Sequence, residues 1–122
     1  MKNKIVIVED EKMLAEMYRD KLERSGFEIY SAPDAEEGLE LIKKIKPDLI
    51  LLDILLPREN GVGLLSKVRK IADIASIPVV AFSNYDDEET KKEVKRLGAK
   101  DYLIKTNYTP QEVVDKIREY LR

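Results

Sequence analysis

The segment Leu49-Ile50-Leu51-Leu52-Asp53 joins four consecutive apolar residues to a single acidic one. A continuous apolar run of this length is typical of a strand covered on both faces, as in a parallel sheet. Asp53 follows the run directly, so its Cα lies near the core, where an unpaired carboxylate is costly. The segment therefore predicts a buried strand that ends in a carboxylate needing partners.

Similar apolar runs occur before and after this segment, at residues 5–8, 79–82 and 102–104. Residues 27–31 mix polar Glu28 and Tyr30 with Ile29, which favours a more exposed strand at the edge of the sheet. Five strands are therefore expected.

Helical patterns separate the strands, and their ends carry recognisable signals. Gly26 is expected to stop the first helix, Asp34 to cap the second before Pro47 closes it, and Pro110 to open the fifth. The fourth helix, over residues 86–97, has only Val94 and Leu97 as clear anchors, so it is expected to be mobile. The apolar faces of the other four contain Leu14, Met17, Tyr18 and Leu22; Ala35, Gly38, Leu39 and Ile42; Leu64, Leu65, Val68 and Ile71; and Val113, Val114, Ile117 and Leu121.

Strands that alternate with helices predict an α/β fold, a doubly wound (βα)5 sandwich with a five-stranded parallel sheet. The 122 residues show no linker or repeat, which predicts a single domain over residues 1–122 with no separate output domain. The start at Met1 favours a complete protein or the N-terminal part of a longer regulator.

Composition excludes several classes of function. The chain has no cysteine and no histidine, so disulfides, thiolate or imidazole metal sites and an internal phosphohistidine are excluded. Its net charge of −2 with interspersed charges argues against direct nucleic-acid binding. No stretch approaches the ~20 apolar residues of a membrane span, and no signal peptide is visible, so a cytoplasmic location is expected.

Polar residues follow each of the central apolar runs: Glu9-Asp10-Glu11, Asp53, Ser83-Asn84 and Lys105. The carboxyl ends of parallel strands share one edge of the sheet, where such folds bind ligands. Taken singly, Asp10 or Glu11 would more often cap a helix, Ser83 would be a turn residue and Lys105 would reach solvent. Together at one edge, these residues predict a functional site.

Clustered carboxylates repel one another unless a cation joins them. With cysteine and histidine absent, the ligands are oxygen atoms, which favours a hard ion, and Mg²⁺ fits best. Lys105 would supply a positive charge to phosphoryl oxygens and Ser83 a hydroxyl donor. A carboxylate can itself form an acyl phosphate, and Asp53 is the best placed to do so.

In this order, the residues closely resemble the receiver domains of bacterial two-component response regulators, the CheY-like superfamily. The resemblance covers the whole chain. It rests on Glu9-Asp10, on the run from Asp53 to Pro57 with Gly61, on Ala81-Phe82-Ser83, and on residues 98–105.

The resemblance implies a flavodoxin-like strand order of 2-1-3-4-5. It implies that Asp53 accepts phosphoryl from a sensor histidine kinase or a phosphotransfer protein, and that Ser83 and Lys105 contact the phosphoryl group. Asp10 and Asp53 would hold Mg²⁺ directly, with Glu9 and the backbone carbonyl of Leu55 completing the protein ligands.

Tyr102 would be the switch aromatic, turning inward as Ser83 moves towards the phosphate. A downstream protein target would bind the face of the fourth helix, fifth strand and fifth helix. A phosphorylation-dependent homodimer is a further use of that face. The chain would be a signalling switch that catalyses only its own phosphorylation and dephosphorylation.

Three features depart from the family pattern. Thr106 follows Lys105 where proline with a cis peptide is usual, so this loop is expected to be trans or strained. Asn84 stands where a small residue is usual and would narrow access to the phosphoryl pocket. Leu55 and Tyr85 flank the expected path of hydrolytic water, which predicts slow self-dephosphorylation.

Three other functions are compatible with a fold of this kind. A pseudo-receiver that binds proteins without being phosphorylated gains support from Asn84 and Thr106, but the retained acidic residues and Lys105 argue against it. A flavin carrier would need a glycine- and hydroxyl-rich phosphate loop, and Glu9-Asp10-Glu11 would repel a phosphate. A phosphatase with an Asp-x-Asp motif would need an acid where Leu55 stands.

Overall fold

A computed structural model describes residues 2–121; Met1 and Arg122, the two ends of the predicted domain, lie outside the described residues. The strands are β1 Lys4–Val8, β2 Glu28–Ala32, β3 Leu49–Leu52, β4 Val79–Ser83 and β5 Asp101–Ile104. The helices are α1 Lys12–Arg24, α2 Ala35–Ile45, α3 Gly61–Lys70, α4 Glu88–Arg96 and α5 Pro110–Tyr120, with a 3-10 turn at Lys105–Asn107.

The five strands form one parallel sheet in the order β2-β1-β3-β4-β5, which confirms the predicted α/β fold and strand order. β1 and β3 pair in the middle, with Val8 beside Leu52, so the residues that follow them leave the sheet side by side. β2 lies at an edge, as predicted, but begins and ends one residue later than the sequence pattern indicated.

Alternate residues of the strands point to two separate cores, one on each face of the sheet. Ile5 and Ile7 pack with α1 and α5, whereas Val6 and Val8 pack with α2, α3 and α4. Every residue of β3 is buried, as expected for a strand covered on both sides. The sheet is therefore a rigid base for the loops at its carboxyl edge.

The predicted helix signals are present in the structure. Asp34 caps α2 by accepting a hydrogen bond from the Glu37 N–H at 2.9 Å. Pro110 is the first residue of α5, and Gly26 follows the end of α1 with a φ of 101°. Gly26 therefore takes up the left-handed conformation that ends a helix at little steric cost.

One expectation for α1 was wrong. Met17, placed on the apolar face, is 41% exposed, whereas Tyr18 and Leu22 are buried and Leu14 packs partly buried against the core. Neither nearby acid caps the helix: Glu11 occupies the N-cap position, but its side chain makes no capping hydrogen bond. The acidic residues after β1 are thus available for another role.

α4 is shorter than predicted, and of its two expected anchors Val94 is buried, whereas Leu97 follows the helix as its C-cap and is partly buried. The C-terminal end also has an anchor that the sequence pattern did not show. The guanidinium of Arg69 on α3 donates hydrogen bonds to the carbonyls of Leu97 and Gly98 at 2.7 and 3.3 Å. It also donates to the carbonyls of Ala75 and Ile77. Burial lowers the pKa of Arg69, but four carbonyl acceptors offset the cost of burying its charge. One end of α4 is therefore held more firmly than the other.

Within residues 2–121, no helix combines the length and apolar character needed to cross a membrane.

Candidate functional site

The carboxyl edge of the sheet brings together residues from four strands. Glu9 follows β1, Asp53 follows β3, Ser83 ends β4 and Lys105 follows β5. These strands are neighbours in the parallel sheet, so their ends open onto the same side. Glu9, Asp53 and Ser83 are buried, although each carries a polar side chain.

Lys105 connects two of the carboxylates. Its Nζ donates to Glu9 Oε1 at 2.6 Å and to Asp53 Oδ2 at 3.0 Å, and its side chain is only 12% exposed. Lys105 therefore does not reach solvent, which is what a lone lysine after a strand would usually do. One ammonium group bridges two buried carboxylates, so it offsets only one of their two negative charges.

Asp53 is fixed by its backbone as well as by its side chain. Its N–H donates to the Val8 carbonyl at 2.9 Å, which continues the pairing of β1 and β3 by one residue. Its Oδ1 accepts the N–H of Leu55 at 3.2 Å, closing a tight turn after the strand. The carboxylate thus has a defined orientation at the strand end.

Gly61, the first residue of α3, lies directly against this turn. A Cβ at position 61 would come within 2.4 Å of the Asp53 carbonyl oxygen and 2.9 Å of the Ile54 Cα. The Gly61 N–H also donates to the Ile54 carbonyl at 2.8 Å. Only a residue without a side chain allows this approach, so Gly61 positions the Asp53 turn.

The third acid, Asp10, lies beside the other two and is exposed. Glu9, Asp10 and Asp53 each offer a carboxylate oxygen, and these oxygens all lie within 4.8 Å of one another. A cluster of oxygen donors with one exposed member fits Mg²⁺ better than a softer ion. The Leu55 carbonyl as a fourth ligand stays a prediction.

Burial has a clear electrostatic effect at this edge. It raises the pKa of the Glu9 carboxyl to about 7, with the charge of Asp53 adding to the rise and Lys105 opposing it. Although burial alone would lower the pKa of Lys105, its hydrogen bonds to the two carboxylates raise that pKa. Lys105 therefore stays protonated at neutral pH, while Glu9 is divided between its two protonation states.

The loop after β4 contacts β5 through the predicted switch residues. The Ser83 hydroxyl oxygen accepts the Tyr85 N–H at 3.2 Å. The phenol of Tyr102, on β5, donates to the Tyr85 carbonyl at 2.5 Å. Tyr102 is half-buried against the core beneath α4, and this burial raises the pKa of its phenol. Ser83 and Tyr102 thus both hydrogen-bond to the backbone of Tyr85 in the same short loop.

Asn84 makes a contact that the sequence did not indicate. Its Oδ1 accepts the Thr106 N–H at 3.2 Å, which joins the loop after β4 to the turn after β5. No peptide bond between residues 2 and 121 is cis, so the Lys105–Thr106 bond is trans, one of the two outcomes considered. The two unusual residues of this edge are therefore hydrogen-bonded to each other.

Leu55 and Tyr85 lie on the outer side of the site. Leu55 is 53% exposed and Tyr85 is 40% exposed, so both large side chains project into solvent near the loops that carry Asp53 and Ser83. Their effect on water access stays a prediction.

A family model described as the response regulator receiver domain matches residues 5–118. The chain is 35% identical over 121 residues to "Probable transcriptional regulator ycf27" of Porphyridium aerugineum, covering 99% of this chain and 49% of that protein. It is 34% identical over 122 residues to the alkaline phosphatase synthesis transcriptional regulatory protein PhoP of Bacillus subtilis, covering 100% of this chain and 50% of that one. The chain thus spans about half the length of these curated relatives.

Solved structures show the same architecture. A CheY-like response regulator receiver domain protein from Methanospirillum hungatei superposes with a TM-score of 0.93 at 30% identity, covering 99% of this chain and 94% of that chain. The chemotaxis protein CheY4 of Vibrio cholerae gives a TM-score of 0.91 at 24% identity, covering 98% and 99% of the two chains. The second likeness concerns the fold alone.

Proposed function

This chain belongs to the response regulator receiver domain family of two-component systems, and on that premise we propose that it is a switch phosphorylated on Asp53 with Mg²⁺ beside it. One observation carries the proposal: a buried carboxylate, Asp53, contacts the Lys105 ammonium and lies within 4.8 Å of two further acids. A structural ion pair would not need the extra carboxylates, which repel one another when no cation joins them.

The reaction follows from the groups present. A carboxylate oxygen of Asp53 attacks the phosphorus of a phosphohistidine on a partner, the P–N bond breaks, and the imidazole leaves with the bond electrons and takes up a proton. The donor histidine belongs to a sensor kinase or phosphotransfer protein, since this chain contains none. The product is an acyl phosphate on Asp53.

Lys105 and Ser83 are the groups of this chain that would receive the transferred phosphoryl group. The Lys105 ammonium lies 3.0 Å from Asp53 Oδ2, so it would neutralise phosphoryl oxygens attached there. Ser83 is buried at the end of β4 and has a hydroxyl proton to donate. Asp10 and Asp53, with Glu9 nearby, would hold Mg²⁺, which when bound would supply charge neutralisation for the same oxygens.

Phosphorylation would act on partners through the loop after β4. A phosphoryl group brings roughly −1.5 to −2 charges to a site whose one ammonium already contacts two carboxylates. Lys105 and Ser83 would shift towards it, and the loop that Tyr102 holds would move with Ser83. The thinly packed α4 follows that loop, so a downstream protein bound at α4, β5 and α5 would sense the change.

This activity makes the chain a signalling switch and not a turnover enzyme. The names of the curated relatives support an output in transcription. A homodimer formed through the α4, β5 and α5 face upon phosphorylation is compatible with such an output.

The test is incubation with Mg²⁺ and acetyl phosphate, followed by intact mass. The wild-type protein should gain the mass of one phosphoryl group, and Asp53→Asn should gain none. Asp73→Asn is a matched control, because Asp73 is an exposed acid between α3 and β4, at the other end of the sheet.

Equal behaviour of wild type and Asp53→Asn would overturn the proposal. A wild type that takes up no phosphoryl from either acetyl phosphate or a phosphohistidine donor would favour a protein-binding module that keeps the fold without the chemistry.

A further inference from the structure

The ends of β4 and β5 lie side by side at the site. Ser83 and Ile104, the last residues of these strands, are partners in the parallel register. The next residues, Asn84 and Lys105, therefore leave the sheet as neighbours. Asn84 is exposed, whereas the Lys105 side chain turns inward to Glu9 and Asp53.

Lys105 is the first residue of a 3-10 turn, Lys105–Asn107. The first N–H groups of a helical turn have no acceptor within the turn and need one from elsewhere. No side chain caps this turn at its N-cap position, Ile104. Asn84 supplies an acceptor from the neighbouring strand end, since its Oδ1 accepts the Thr106 N–H at 3.2 Å.

We propose that Asn84 is a positioning residue for Lys105, acting through the Thr106 N–H. The hydrogen bond joins the peptide that directly follows Lys105 to the loop that directly follows Ser83. It thereby fixes the distance between the two groups that would contact the phosphoryl group. The inference rests on the proposed function of Lys105, although the contact itself can be tested without any phosphoryl donor.

The position of the hydrogen bond between Asn84 and Thr106 favours a role in positioning Lys105 over a role in stabilising the loop alone. The Lys105 side chain is only 12% exposed where its ammonium contacts Glu9 and Asp53. Its backbone, in contrast, belongs to a three-residue turn in which no residue is fully buried. Such a turn has few packing contacts to fix it. A second contact lies two residues before the end of β5, where the Tyr102 phenol donates a hydrogen bond to the Tyr85 carbonyl. The loop from Ser83 to Tyr85 is thus held to the β5 segment at two points.

The first experiment measures the contact itself in the unphosphorylated protein. Amide hydrogen exchange at Thr106 is followed by NMR in wild type, Asn84→Ala and Asn84→Asp. Loss of one exposed hydrogen bond should accelerate Thr106 exchange roughly 2- to 10-fold in Asn84→Ala. Asn84→Asp keeps the acceptor oxygen and should restore protection.

Asn107→Ala is the matched control, because it removes a carboxamide from the same turn, from an exposed residue. It should leave exchange at Thr106 unchanged. If Asn84→Ala does not change Thr106 exchange, or if Asn107→Ala changes it as much, the proposal is wrong whatever the protein does with phosphate.

The second experiment asks whether Asn84 acts through Lys105. The rate of Asp53 phosphorylation by acetyl phosphate is measured for Asn84→Ala in the wild-type and Lys105→Ala backgrounds. In the wild-type background the rate should fall roughly 2- to 10-fold, as the tie is lost. In the Lys105→Ala background the same substitution should not lower the rate further, because the group that Asn84 positions is absent.

If Asn84 instead acted by narrowing the entrance to the phosphoryl pocket, Asn84→Ala would change the phosphorylation rate in a different way. Removal of the Asn84 side chain would widen the entrance and raise the rate by the same factor in both backgrounds. An equal change in the two backgrounds, in either direction, would overturn the positioning role. Failure of the proposed function would instead abolish phosphorylation in the wild type and leave the exchange result intact.

Discussion

Mg²⁺ binding to this protein should release a proton from Glu9. Burial raises the pKa of the Glu9 carboxyl from its ordinary value of 4.5 to about 7. Glu9 lies within the acidic cluster with Asp10 and Asp53, so a divalent cation there favours its ionised form. Because binding selects the carboxylate, the proton leaves as the ion enters.

The size of the effect follows from the pKa. A carboxyl with a pKa of about 7 should release most of one proton per Mg²⁺ well below pH 7 and almost none well above it, so the number of protons released should fall as pH rises through that region. Lys105 does not contribute, since its hydrogen bonds to Glu9 and Asp53 raise its pKa and keep it charged.

The same shift sets the direction of the pH dependence of stability. Between pH 4.5 and about 7 the folded protein binds more protons at Glu9 than the unfolded chain does. The Glu9 contribution to the free energy of unfolding therefore falls as pH rises through that window. Saturating Mg²⁺ should offset this fall, because the ion compensates the charge that burial disfavours.

The assay is titration calorimetry with Mg²⁺ in two buffers of different ionisation enthalpy at equal ionic strength. The dependence of the measured heat on buffer enthalpy gives the number of protons released. Glu9→Gln should bind Mg²⁺ through the other two acids with almost no proton release. Glu11→Gln, which changes a neighbouring exposed acid, should behave as wild type. Equal proton release from wild type and Glu9→Gln, or release from wild type that does not fall between pH 6 and pH 8, would show that Glu9 is not the group that loses the proton.

Three further outcomes are expected. Gly61→Ala should lower the free energy of unfolding by about 1–3 kcal/mol and slow phosphorylation, since the new Cβ meets the Asp53 carbonyl at 2.4 Å. Gly63→Ala, whose Cβ meets only the flexible end of a side chain, should cost less than about 1 kcal/mol in the same chemical denaturation series. Arg69→Met should accelerate amide exchange in the last turn of α4 by removing four carbonyl contacts, and unchanged exchange there would count against the anchor. Leu55→Asn should speed loss of phosphoryl, measured by intact mass over time, because a polar side chain at this half-exposed position admits and orients water; a slower loss would contradict the assigned role.

The sequence predicted the layers and the site edge because those features depend on local patterns. A continuous apolar run such as residues 49–52 is typical of a strand buried on both faces, and the structure buries all four residues. Once the strands are parallel, their carboxyl ends must share an edge, so Glu9 and Asp53 come together whatever the loops do.

Contacts set by loop geometry could not be predicted in this way. The sequence suggested that Lys105 faces phosphate, but not that it joins Glu9 to Asp53, because its direction depends on how the 3-10 turn leaves β5. Nothing in the sequence indicated that Arg69 is partly buried, since an arginine on a helix surface usually faces solvent. Its carbonyl partners come from two segments that only the fold brings together. The hydrogen bond between Asn84 and Thr106 spans 22 positions of sequence and has no local signal.

The most direct test of the account is chemical location of the phosphoryl group. The protein, phosphorylated with Mg²⁺ and acetyl phosphate, is reduced with borohydride, which converts an aspartyl phosphate to homoserine, and its peptides are sequenced by mass spectrometry. Homoserine is expected at position 53 alone, and none is expected when Mg²⁺ is chelated beforehand. Homoserine at Asp10 or at another acid, or none under conditions that phosphorylate a control receiver, would contradict it.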